Sequence, residues 1–200
     1  MIAIMAENKS KNRAFIFIDG NNFYYKLKDF VSKETGLLKL LDFNFRDFSK
    51  NLVKDNSLVE IRYYVGAVKR QNGENKEKSD KLYANQQKLI AKLQQQNIQV
   101  ILGNLIQHPD KSFHEKGVDV RIAVEMIRFA REDKYDTAYL LSSDTDLVPA
   151  IEEVKSFNKK VCYVGVPKGQ SFGLTKATDN NIIILRREDI ISYFPKTLLD

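Results

Sequence analysis

The chain has 200 residues, the length of one ordinary domain, with 43% hydrophobic and 29% charged residues, a globular balance that excludes a disordered chain. Its formal net charge of +6 favours a polyanion partner but lacks the lopsidedness of a histone-like protein. No apolar run approaches the roughly 20 residues of a membrane helix, and the apolar start, Met1 to Ala6, is too short for a signal core and has no basic flank.

In chain order, Ala14-Phe15-Ile16-Phe17-Ile18 is a continuous apolar run, as expected of a strand covered on both faces. A helix is expected from about Asn21 to Val31 and a second from Phe43 to Val53. Leu58 to Val68, rich in Ile, Tyr and Val, reads as a strand. Lys69 to Asp80 is polar without an apolar period and reads as an exposed loop. Lys81 to Gln96 reads as a helix and Ile98 to Leu105 as a strand. Val118 to Arg131 is the clearest helix. A strand over Thr137 to Leu141, a helix over Leu147 to Phe157, and strands over Lys160 to Val166 and Asn181 to Leu185 follow, with a short helix expected in the tail. Cys162, the single cysteine, lies in an apolar strand segment and is expected to be a buried core residue, in a protein of the reducing cytoplasm.

Alternating strands and helices predict an α/β fold with a mainly parallel sheet and helices on both faces. In such a sheet the ligand site lies beyond the carboxyl ends of the strands. Acids stand at those places. Asp19 ends the first strand, with Gly20 allowing a sharp turn after it. Either Asp19 or Asn21 could simply cap the next helix. Asp144 and Asp146 follow the Tyr139-Leu140-Leu141 strand. Were Asp146 the cap, Pro149 would fall at the third helical position, where no backbone donor is needed, and Asp144 would be left without a structural role. Asp119 falls in the apolar arc of Val118, Ile122, Met126 and Ala130. An acid there needs a partner or the N–H groups of the first helical turn. Glu125 lies at the edge of that arc, four residues after Arg121, where a surface ion pair is the plain alternative to a ligand role.

Two carboxylates about 5 Å apart repel by roughly 3 kcal/mol at an effective dielectric near 20. If the strand ends bring these acids together, a cation is required. Hard oxygen ligands suit Mg²⁺ or Mn²⁺, which activate water and hold phosphodiesters.

Phe17-Ile18-Asp19-Gly20-Asn21-Asn22 resembles the opening signature of NYN domains, Lys116-Gly117-Val118-Asp119-Val120 their middle motif, and Ser142-Ser143-Asp144-Thr145-Asp146-Leu147-Val148-Pro149 their third. The resemblance covers roughly Ala14 to Val166. It implies a PIN-like three-layer sandwich and a divalent-metal ribonuclease. By motif position, Asp19, Asp119, Asp144 and Asp146 would be the catalytic acids around the metal, with Glu125 as a further ligand. Asn22 would orient a ligand or water, Lys116 would meet phosphate, and Ser143 would hold a phosphate or water. Glu125 stands where the family usually has Asp, and Leu147 where it usually has Phe.

The expected organisation is an N-terminal extension over 1–13, the domain over 14–185 and a tail over 186–200. The expected activity is RNA hydrolysis. The alternative is a non-catalytic RNA-binding or regulatory module. A DNA-directed nuclease ranks behind both, because no arch or clamp segment is visible. Tyr24, Tyr25, Tyr63 and Phe113 are stacking candidates, and Lys69, Arg70, Lys76, Lys78, Lys81, Lys159 and Lys160 are backbone-binding candidates. His108 and His114 have no third partner at metal-ligand spacing. Two copies could pair through exposed strands or helices.

Overall fold

The computed structural model describes residues 11–35, 40–73, 76–107 and 113–195; the side chains of 29–35, 104–107 and 113–116 lie outside that description. Seven strands form one sheet: β1 (Arg13–Asp19), β2 (Ser57–Gly66), β3 (Gln99–Gln107), β4 (Phe113–Lys116), β5 (Thr137–Leu141), β6 (Lys160–Gly165) and β7 (Ile182–Ile184). Their order is β4-β3-β2-β1-β5-β6-β7. Six strands are parallel, and β4 runs antiparallel along β3 at the edge. The helices are α1 (Gly20–Thr35), α2 (Phe45–Val53), α3 (Lys76–Gln95), α4 (Val118–Arg131), α5 (Val148–Ser156), α6 (Phe172–Ala177) and α7 (Arg187–Ile191). None among the described residues is long and apolar enough to cross a membrane.

The unbroken apolar run of β1 has the expected cause. Alternate side chains enter two separate cores. Ala14, Ile16 and Ile18 pack with Phe23, Leu27, Phe45 and Phe48 from α1 and α2. Phe15 and Phe17 pack with Ile122, Met126, Ile151 and Leu174 from α4, α5 and α6. The result is the three-layer, PIN-like sandwich. Beyond β7, Ile190 and Phe194 complete the first core.

Three elements differ from the sequence reading. The stretch 69–80 is not all loop, because α3 begins at Lys76. Its apolar period is absent because its described buried residues are only Ser79 and Leu93. Ser79 Oγ accepts from Gln71 N at 2.9 Å, pinning the connection to the helix. The stretch before Lys116 contains β4, four residues at an edge, and α6 is a six-residue helix with Leu174 as its buried residue. Both are too short to show a period. Cys162 is buried as expected, and burial pushes its thiol up to about 12.

The sheet order reverses between β1 and β5. The chain runs from β1 through β2 and β3 to one side, and from β5 through β6 and β7 to the other. Ile18 pairs with Leu141 there, so Asp19 and Ser142 leave the sheet side by side. This is the switch point at which α/β sheets open a ligand crevice.

Candidate functional site

Gly20 begins α1, and its reason differs from the turn expected. A Cβ at Gly20 would lie 2.4 Å from Tyr63 Cε1 and 2.7 Å from the Tyr64 carbonyl oxygen. Glycine is needed so that α1 can start hard against β2. Asp19 is thereby held at the crevice floor. Its Oδ1 accepts from Asn22 N at 3.0 Å, and its Oδ2 from Ser142 Oγ at 3.3 Å. Burial pushes its pKa up, and the charge of Asp144 adds to that; the bonds from Asn22, Ser142 and Asn21 oppose it without cancelling it.

The corner after β5 reverses the capping alternative considered for its two acids. Asp144, not Asp146, is the cap: its Oδ1 accepts from Asp146 N at 3.0 Å at the start of a 3-10 turn over Thr145–Leu147. The helix α5 follows that turn with Pro149 in its first two positions. The 3-10 turn, which hydrophobic period does not reveal, moves the cap two residues earlier. Asp146 is left exposed.

Ser142 and Ser143 tie this corner to α1. Ser142 Oγ accepts from Asp144 N at 3.2 Å. Asn22 Nδ2 donates to Ser143 Oγ at 3.1 Å, and Ser143 N donates to Asn22 Oδ1 at 3.2 Å. Sequence reading singled out Ser143 but missed Ser142, the buried hydroxyl that bridges Asp19 to the Asp144 backbone. Its signal was its place in the residue step between Leu141 and Asp144.

Asp119 enters from α4. Gly117 precedes that helix in the left-handed conformation, φ 85°, and serves as its cap without a side chain. The first-turn acid is therefore not used as the cap. One carboxylate oxygen from each of Asp119, Asp144 and Asp146 lies within 4.8 Å of the others. Asp19 lines the adjoining cleft with Asn21, Asn22, Tyr25, Gly117, Val118 and Asp119, a space of about 470 Å³.

Glu125 is not brought into this group. It is buried, at 2% exposure. Its Oε2 accepts from Arg62 Nη2 at 2.8 Å and Tyr64 Oη at 2.8 Å, and its Oε1 from Arg121 Nε at 2.9 Å. Burial pushes its pKa up, but the bonds from Tyr64 and Arg62 and the Arg62 charge outweigh it and hold the carboxyl below its usual range. The pair with Arg121, the alternative to the ligand role expected of Glu125, exists, with a buried half that the helical wheel alone did not reveal.

Lys116 ends β4, paired through its backbone with Asn104, and its side chain lies outside the described residues. His108 and the side chains of Phe113 and His114 lie outside them too. Tyr63 is a core residue at 1% exposure, whereas Tyr24 and Tyr25 are exposed. Lys159 is committed to Asp133 and Asp136, so it is a structural cation. Arg70 pairs with Asp80 at 3.5 Å and lies over the Tyr83 ring.

The donor set fits a hard divalent cation: three carboxylates on two elements, within reach of one ion, with space beside them for water. The solved structure of a protein of unknown function, VPA0982 from Vibrio parahaemolyticus RIMD 2210633, is similar in fold, with a TM-score of 0.64 and 23% identity over 92% of this chain and 98% of that one. No curated protein matches the chain. The NYN domain family model matches residues 13–185, and with the acids lying at the switch point of this sheet, the chain belongs to that family.

Proposed function

We propose that the protein is a divalent-metal-dependent endoribonuclease acting at Asp19, Asp119, Asp144 and Asp146. The observation that carries this is the approach of Asp119, Asp144 and Asp146 within 4.8 Å. Among the described residues none of the four acids forms a salt bridge. The family supplies the expectation of RNA as substrate.

In this reading Asp119, Asp144 and Asp146 hold Mg²⁺ or Mn²⁺. The ion, when bound, makes a water acidic enough to act as nucleophile and neutralises phosphate charge. Asp19 receives the proton of the attacking water at a carboxylate oxygen, and the burial that raises its pKa makes it the more basic for that task. Ser142 and Asn22 fix the orientation of that carboxylate. Asn22 and Ser143 keep α1 and the β5–α5 corner in register, and with Lys116 they meet the phosphate. A cytoplasmic setting belongs to the same reading.

The test is cleavage of labelled single-stranded RNA with Mn²⁺, with EDTA, and by Asp144→Asn. Asparagine caps a helical turn about as well as aspartate, so this variant should fold. Loss of one such electrostatic group is expected to lower the rate by about 10²–10³-fold. Cleavage undiminished in Asp144→Asn sinks the site assignment. No cleavage by folded wild type under any condition leaves the RNA-binding module as the better reading.

A further inference from the structure

The acids create a problem for substrate binding. Without a bound cation they repel the phosphates they must approach, and contacts to the bases add affinity that this repulsion does not oppose. We propose that Phe172 and Tyr25 are stacking platforms beside the acidic cleft, which take unpaired bases of a single strand of RNA next to the reacting phosphate. This rests on the nuclease reading for the identity of the ligand.

Phe172 is 83% exposed. A lone exposed apolar side chain is ordinary; the location of this one is not. Its neighbour Gly173 packs on Thr145, the residue between Asp144 and Asp146. A Cβ at Gly173 would lie 3.1 Å from Thr145 Cγ2. Phe172 is therefore next in sequence to a residue that touches the acid-bearing turn.

The backbone holds it there. Ser171 N donates to Tyr163 Oη at 3.1 Å, and Ser171 Oγ accepts from Leu174 N at 3.2 Å. Ser171 and Leu174 are both buried while Phe172 between them stays exposed, so α6 is anchored through those two residues and not through the ring. Folding of α6 uses those neighbours and does not use the phenyl ring.

Tyr25 supplies the second platform. It is 62% exposed and lines the cleft with Asp19 and Asp119. Its ring is braced edge-on by Tyr24, with centroids 5.4 Å apart. The next residue, Lys26, donates from Nζ to the Gly169 carbonyl at 2.9 Å, tying α1 to the segment that leads into Phe172. The segments that carry the two aromatic residues are thus tied to each other. Stacking accepts any base, but only a base free of its duplex neighbours.

The experiment is fluorescence anisotropy in EDTA, so that no cleavage intervenes. The probes are a short labelled single-stranded RNA and the same strand carrying abasic residues. Wild type should bind the intact strand more tightly than the abasic one. Phe172→Ala should bind the intact strand about tenfold more weakly, the scale of one base–aromatic stack. It should lose much of the preference for intact over abasic RNA, and Phe172→Trp should restore it. Tyr25→Ala should act in the same direction.

Unchanged affinity in Phe172→Ala, equal loss on both strands, or no RNA binding by wild type overturns the proposal. So does a wild-type dimer that Phe172→Ala dissociates with RNA affinity intact, which would make the ring a self-association contact. Base-dependent binding by a wild type that never cleaves with Mn²⁺ would retire the nuclease reading and leave the platforms standing.

Discussion

The two ends of β1 treat carboxylates in opposite ways. At its start, Arg13 reaches Asp136 through Nη2 at 2.7 Å and Nε at 3.1 Å, and Asp133 through Nη2 at 2.8 Å. Lys159 pairs with the same two aspartates. The hydrogen bonds from Arg13 hold the Asp136 carboxyl far below its usual range despite some burial. At its far end, Asp19 has hydrogen-bond donors but, among the described residues, no salt bridge, and burial pushes its pKa up. The lesson is that this fold pairs acids with cations where they serve stability. The clustered Asp119, Asp144 and Asp146, without such pairs among the described residues, are what the proposed cation site rests on.

Glu125 belongs with the paired acids, although its sequence position resembles the ligand group. Its partner Arg62 is itself enclosed, lying over Phe129 at 4.8 Å and bonded to Tyr64 and Glu60. Removing one member of a buried pair leaves an uncompensated charge, at a cost of about 3–5 kcal/mol. Glu125→Ala should therefore lower the melting temperature by roughly 10 °C. The same variant, assayed well below that temperature, should retain most of its Mn²⁺-dependent cleavage. A stable Glu125→Ala protein without cleavage would return Glu125 to the metal ligands and break the comparison.

Much of this was legible in sequence because period and strand-end position are local properties. The helix over Val118–Arg131 and the strand over Thr137–Leu141 show them clearly. The four aspartates were visible because each sits where a strand or helix begins or ends. What escaped depends on contacts across the fold. The burial of Glu125 is set by Arg62 and Tyr64, some sixty residues away. The capping role of Asp144 depends on a three-residue 3-10 turn. The short β4 and α6 are defined by their neighbours rather than by any period of their own.

The unpaired end should respond to metal in solution. A ligand that binds only the folded state at 100 times its dissociation constant stabilises by about 2.7 kcal/mol. Wild type titrated with Mn²⁺ should gain several degrees in thermal unfolding. Asp144→Asn should gain much less, and in EDTA it should melt no lower than wild type, because a repelling charge has gone. Equal Mn²⁺ shifts in the two proteins would place the bound ion elsewhere.

The smallest effect is a matter of sign, and it separates the two ends most directly. Asp136 has a depressed folded-state pKa. Its contribution is present above the ordinary aspartate range and is lost as pH falls through the folded value. Asp19 has a raised folded-state pKa. Its folded form is favoured below the ordinary range, and that advantage is lost as pH rises through the folded value. In EDTA at neutral pH, Asp136→Asn should thus be less stable than wild type, by about 1 kcal/mol because solvent screens a half-exposed pair. Asp19→Asn should be more stable than wild type under the same conditions. Both differences should shrink as the medium is acidified below the aspartate range. Urea unfolding at neutral and acidic pH reads both. If the two variants shift stability in the same direction, the carboxylates at the two ends of β1 are not doing opposite jobs, and the role of Asp19 as the proton acceptor beside the proposed cation site loses its electrostatic support.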